Sequence, residues 1–92
     1  MFYLKTMKKR KTQQNISLVF ETSYEIKYKH KLSRKITADM FFPQKNVAVI
    51  FGEYDNTDKN IIELEKTEVK IFNIPVNEDI FKTLGRLLYV LR

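Results

Sequence analysis

From Ile16 to Leu32 the chain alternates with a period of two. Ile16, Leu18, Phe20, Thr22, Tyr24, Ile26, Tyr28, His30 and Leu32 share one parity. Ser17, Val19, Glu21, Ser23, Glu25, Lys27, Lys29 and Lys31 share the other. Such alternation predicts β structure with one buried and one solvent face. The stretch is long against a typical strand of about 5–6 residues. It reads either as one long bent strand or as a hairpin that breaks near Glu21–Tyr24. The absence of Gly, Pro or Asn-Gly within it favours the long strand, with Lys27, Lys29 and Lys31 on the solvent face.

The last stretch, Pro75–Arg92, has the spacing of a helix. Ile80, Phe81, Leu84, Leu87, Leu88 and Leu91 recur on one face, opposite Lys82, Arg86 and Tyr89. Asn77 is placed to cap it, with Val76 and Phe81 as a hydrophobic staple. Glu78 and Asp79 near the start and Arg92 at the end suit the helix dipole. Gly85 sits at the edge of the apolar stripe, either as a tolerated residue or as a point of close approach to a sheet. This helix is predicted to lie as a lid over the apolar face of residues 16–32 and one face of Val47–Phe51.

Between these segments, Met40-Phe41-Phe42 before Pro43 reads as a connection whose aromatics plug one end of the core. Val47-Ala48-Val49-Ile50-Phe51 is apolar on both parities, which predicts a central strand buried on both faces. Gly52 marks its end or a bulge. Asp55 to Asn60 is turn chemistry. Ile62 and Leu64 lie on one parity and Val69 and Ile71 on the other, so two short strands meeting near Lys66 are expected, with a short helix from Asp58 to Lys66 as the alternative. Together these elements predict an α+β domain: a small antiparallel sheet of four or five strands with one C-terminal amphipathic helix packed on one face. Residues 1–14 read as a basic, flexible tail and 15–92 as a single domain. Met7 stands as an alternative start.

Composition narrows the function more than the fold. The 92 residues include no cysteine, so there is no disulfide framework, thiol nucleophile or cysteine zinc site. No apolar run reaches the roughly 20 residues of a membrane span. The apolar run at Met1–Leu4 is too short for a signal peptide, and a cytoplasmic protein is expected. The net charge of +6 is polarised. Residues 1–35 carry ten basic and two acidic side chains, against seven basic and nine acidic in residues 36–92. Such polarity is a footprint of polyanion binding.

Catalytic patterns are missing. His30, the one histidine, sits on the apolar parity and reads as a half-buried strand residue. Ser17, Ser23 and Ser33 are not placed beside it by any motif, and two glycines do not build a phosphate-cradling loop. Glu63, Glu65 and Glu68 read as solvent-facing charges. No metal and no cofactor is expected, and the enzyme class is the least supported. Two binding readings remain. One is nucleic acid, DNA or RNA, held by Lys8, Lys9, Arg10, Lys11, Lys27, Lys29, Lys31, Arg34 and Lys35. Tyr24 and Tyr28 lie among the second group of lysines, but their parity assigns both to the core and leaves the lysines without a stacking surface. The other is a protein-interaction module, an inhibitor, adaptor or subunit, using a sheet edge or Tyr89 and Val90 on the helix. A homodimer is compatible with either.

Overall fold

The computed structural model describes residues 2–52 and 57–92, with side chains from Lys8 onward. The described residues form three helices and four strands: α1 (Phe2–Phe20), β1 (Lys27–Lys31), β2 (Thr37–Phe42), β3 (Val47–Phe51), α2 (Lys59–Glu65), β4 (Lys70–Ile74) and α3 (Ile80–Leu91). The strands form one sheet in the order β1-β2-β3-β4. The first two pairings are antiparallel. β4 joins β3 in parallel, with Val47 opposite Lys70 and Phe51 opposite Ile74. The fold is α+β with a mixed sheet rather than the antiparallel sheet expected.

The reason lies in residues 58–66, where the helical alternative is realised. Asp58 caps α2, its carboxylate accepting from the Asn60 amide at 2.7 Å. Ile61 and Leu64 are buried at a spacing of three, whereas Ile62 faces solvent. A helix between two strands carries the chain back to the starting end, so the next strand runs parallel. Of the expected turn before it, Asp55 and Asn56 lie outside the described residues.

The largest correction is at the N-terminal end. Residues 2–14, read as a tail, are helical, and so are residues 15–20, read as the start of a long strand. Thr12, Ile16 and Phe20 are the buried positions of α1. A spacing of four is common to one face of a helix and one face of a strand, so the parity pattern does not separate the two. Leu18 does: it shares the parity of Ile16 and Phe20 yet is 72% exposed. Only Lys27–Lys31 of the expected strand is β structure.

The sheet is covered on both faces. Ile16 and Phe20 of α1 and Leu87 and Leu91 of α3 pack on Met40, Phe42, Val47, Val49, Phe72 and Ile74. Ile61 and Leu64 of α2, with Ile36, close part of the other face. β3 is the central strand anticipated, its Val47, Ala48 and Val49 buried. Phe41 and Phe42 belong to β2, not to a connection. The turn after them, Pro43 to Asn46, closes with Asn46 at φ 55°, a left-handed conformation that Asn tolerates.

α3 begins later than its sequence suggests. Its cap is Asp79, not Asn77; the Asp79 carboxylate accepts from the amides of Phe81 and Lys82 at 3.2 and 3.3 Å. The apolar residues of α3 are more than the core covers. Thr83, Leu87 and Leu91 are buried, and Val90 packs against the core. Phe81 and Leu88, expected inside, are exposed.

Candidate nucleic-acid interface

β1 is an edge strand. It pairs with β2 alone, so its outer row of backbone groups is open. Lys27, Lys29 and Lys31 are all exposed along it. Beyond it the chain turns through Ser33, whose hydroxyl accepts from the amides of Lys35 and Ile36 at 3.3 and 3.2 Å. That short turn holds Arg34 and Lys35, both exposed, directly after the strand. Five of the nine basic residues singled out from sequence therefore form one ribbon. At its start an acidic group, the exposed Glu25, stands 3.9 Å from the Lys27 ammonium.

β1 is not a regular strand. Lys29 has φ 49°, in the left-handed region. Tyr28 and His30 flank it and would share a face in a straight strand. Here Tyr28 lies opposite Met40 and its hydroxyl is hydrogen-bonded to that of Ser17 on α1. His30 lies opposite Ala38 and stacks on Phe41, ring centres 4.7 Å apart and 11° from parallel, on the far side of the sheet. The kink thus separates the two rings. Tyr28 keeps the α1 side that its parity assigns, yet on this edge strand its ring is 46% exposed. Tyr24 is the core residue of the pair, packed against Phe20 and Phe42, with its hydroxyl donating to the Leu91 carbonyl at 3.3 Å.

Tyr28 forms one wall of an open groove of about 480 Å³, whose other lining residues are Gln13, Gln14, Ser17 and Leu18 of α1. The amides and hydroxyl of the α1 wall are uncharged donors and acceptors, and Leu18 adds an apolar surface beside the ring. Sequence parity hid this groove, because alternation does not carry through the helix that holds Leu18 and does not tell that Tyr28 stands at a sheet edge.

The basic block on α1 does not act as a unit, since four consecutive helical residues point to different sides. Lys9 is drawn inward: its ammonium pairs with Asp39 and stands 5.7 Å from the centre of the Phe51 ring. Asp39 also accepts from the Phe51 amide at 2.9 Å, so the Lys9 pair ties α1 to the sheet. Lys8 and Lys11 line a second groove, of about 280 Å³, shared with Glu78, Asp79 and Ile80. Arg10 is exposed on α1 one turn before Gln13 and Gln14 and is not among the residues that line the Tyr28 groove. Of the two residues singled out for a protein partner, Tyr89 is 81% exposed, whereas Val90 is half-buried.

Among the described residues no group of three or more His, Cys, Asp and Glu stands together to hold a metal ion. No described helix is long and apolar enough to cross a membrane. The chain matches no family model, and neither the curated proteins nor the solved structures yield a match.

Proposed function

We propose that the protein is a small non-enzymatic nucleic-acid-binding domain of the cytoplasm that takes single-stranded DNA or RNA along β1. Lys27, Lys29, Lys31, Arg34 and Lys35 hold phosphates, and the Tyr28 ring receives a base at the mouth of the α1 groove. The observation that carries this reading is the exposed Tyr28 ring among edge-strand lysines. Single-strand binders combine a basic track for the backbone with aromatic rings for the bases, because every base has a face to stack. The groove also offers Gln13 and Gln14, side chains able to reach base edges. Double helix is the poorer ligand, since stacking on Tyr28 needs an unpaired base.

The test is fluorescence anisotropy with short labelled single strands of DNA and RNA over a range of salt. Affinity is expected to fall steeply with salt. Replacing Lys27, Lys29 and Lys31 together by Gln should reduce the slope by about 0.7 for each phosphate that is no longer neutralised. No binding to either strand at low salt would reject the reading.

A second reading, a protein-interaction module, is favoured by a different surface. Phe81, Leu88 and Tyr89 leave α3 with an apolar outer side. Salt-resistant association with one protein, sensitive to Tyr89, would support it.

A further inference from the structure

We infer that the outer side of α3 joins a second copy of this chain in an antiparallel pair centred on Gly85. Phe81, Leu88 and Tyr89 are 78%, 44% and 81% exposed, and Gly85 lies in their midst. Nothing among the described residues requires glycine there. Its φ is not in the left-handed region, and a Cβ built on it would meet no atom of the described residues within 4 Å. Glycine is among the poorest residues for a helix interior. What it provides is a flat spot in an apolar surface, where another backbone comes close.

The spacing says which backbone. Phe81 stands four residues before Gly85 and Tyr89 four after. An antiparallel copy of the same helix, turned about an axis through Gly85, sets each Phe81 against the partner's Tyr89. The pairing is then made twice, as a two-fold interface requires. The ends agree in charge. Asp79, the exposed cap at the start of α3, comes within one residue of register with the partner's Arg92, the exposed cap at its end. The helix dipoles oppose each other in the same sense. One helix thus holds both halves of a complementary surface. At an interaxial distance of about 8 Å the facing glycine Cα atoms come within roughly 4–6 Å, inside the reach of a disulfide.

The experiment uses the full chain without nucleic acid, so its outcome is independent of the β1 reading. Sedimentation velocity should show a concentration-dependent monomer–dimer equilibrium. Gly85→Leu, whose side chain projects into open space in the single chain, should keep the circular dichroism of the wild type and weaken the dimer on the order of 100-fold, as loss of an interface centre does. Since the chain has no cysteine of its own, Gly85→Cys should give a covalent dimer under mild oxidation, and Glu63→Cys on α2 should not. A wild type that stays monomeric, a Gly85→Leu variant that dimerises as the wild type does, or equal cross-linking at positions 63 and 85 would each overturn the inference.

Discussion

Arg86 grips Glu78 with both arms of its guanidinium, Nε at 3.0 Å from Oε2 and Nη2 at 2.8 Å from Oε1. The Glu78 side chain is only 7% exposed, and it also accepts from the Thr83 hydroxyl at 2.7 Å. Arg86 in turn donates to the Asn73 carbonyl at 2.8 Å and lies over the Phe72 ring, 4.4 Å from its centre. One side chain therefore fixes the turn before α3, the helix itself and the edge of β4. Arg86→Ala is expected to destabilise the domain by about 2–3 kcal/mol. That is below the roughly 3–5 of a fully buried pair, because the guanidinium remains 38% exposed. Arg86→Lys should recover little of the loss, since an ammonium does not reproduce the two-armed geometry. Urea denaturation at neutral pH measures both.

The same pair sets an acid limit. Burial pushes the Glu78 carboxyl up, but hydrogen bonds from Arg86 and Thr83 and the charges of Arg86 and Lys82 outweigh it, so the carboxyl lies below its ordinary 4.5. Unfolded chains then bind the proton more readily than folded ones, and stability falls with acid. The contribution is complete above pH 4.5 and is lost as the pH drops through the lower folded value. Glu78→Gln should be less stable than wild type at pH 7, and the gap should narrow below pH 4. A constant gap across that range would mean the carboxylate charge is not what stabilises the turn.

Ile16 and Leu18 separate a helix from a strand at this end of the chain. Ile16 is buried between α1 and the sheet, and Leu18 is exposed. Ile16→Ala should cost about 2–5 kcal/mol, and Leu18→Ala less than about 0.5. A long strand with both residues on its inner face would make the two losses alike.

Tyr28 and the lysines around it should fail differently. Tyr28→Ala is expected to weaken single-strand binding by about 1–3 kcal/mol, the worth of one stacked base, while leaving the salt slope unchanged. Loss of the edge lysines changes the slope. If Tyr28→Ala binds as the wild type does, the base is not held at this ring. Lys9→Gln should act on stability rather than on binding, because Lys9 is engaged by Asp39.

Gly52 ends β3 at φ 81°, with its amide donating to the Ile74 carbonyl at 2.9 Å. Gly52→Ala should cost about 1–2 kcal/mol from the left-handed backbone alone. Among the described residues the nearest atom to an added Cβ is a Val76 methyl at 3.9 Å, an ordinary contact.

What is legible in the sequence is what a single period describes. Val47–Phe51 is apolar on both parities and is the buried internal strand; Ile80–Leu91 has a strong helical repeat and is the C-terminal helix. The failures share a cause. Buried residues at 12, 16 and 20 satisfy two periods at once, and the buried pair of α2 is too short to establish either. The direction of β4 in the sheet depends on α2, so one miss brings the other. For the interface, Lys27, Lys29, Lys31, Arg34 and Lys35 are visible as a basic run. The exposure of Tyr28 is not, because it keeps the side its parity assigns and is open only through the place of β1 at the sheet edge, which parity does not signal.

The kink at Lys29 also decides how the open edge can be used. A neighbouring chain adding itself as a further strand needs an unbroken row of amides and carbonyls over several residues. β1 spans five residues, and its middle one turns out of the repeat. Three lysines spaced along so short a strand also repel a second copy of it. β1 is therefore guarded against fibrillar stacking and strand exchange while its side chains stay open to a polyanion. An extended peptide seeking main-chain pairing has no continuous template there.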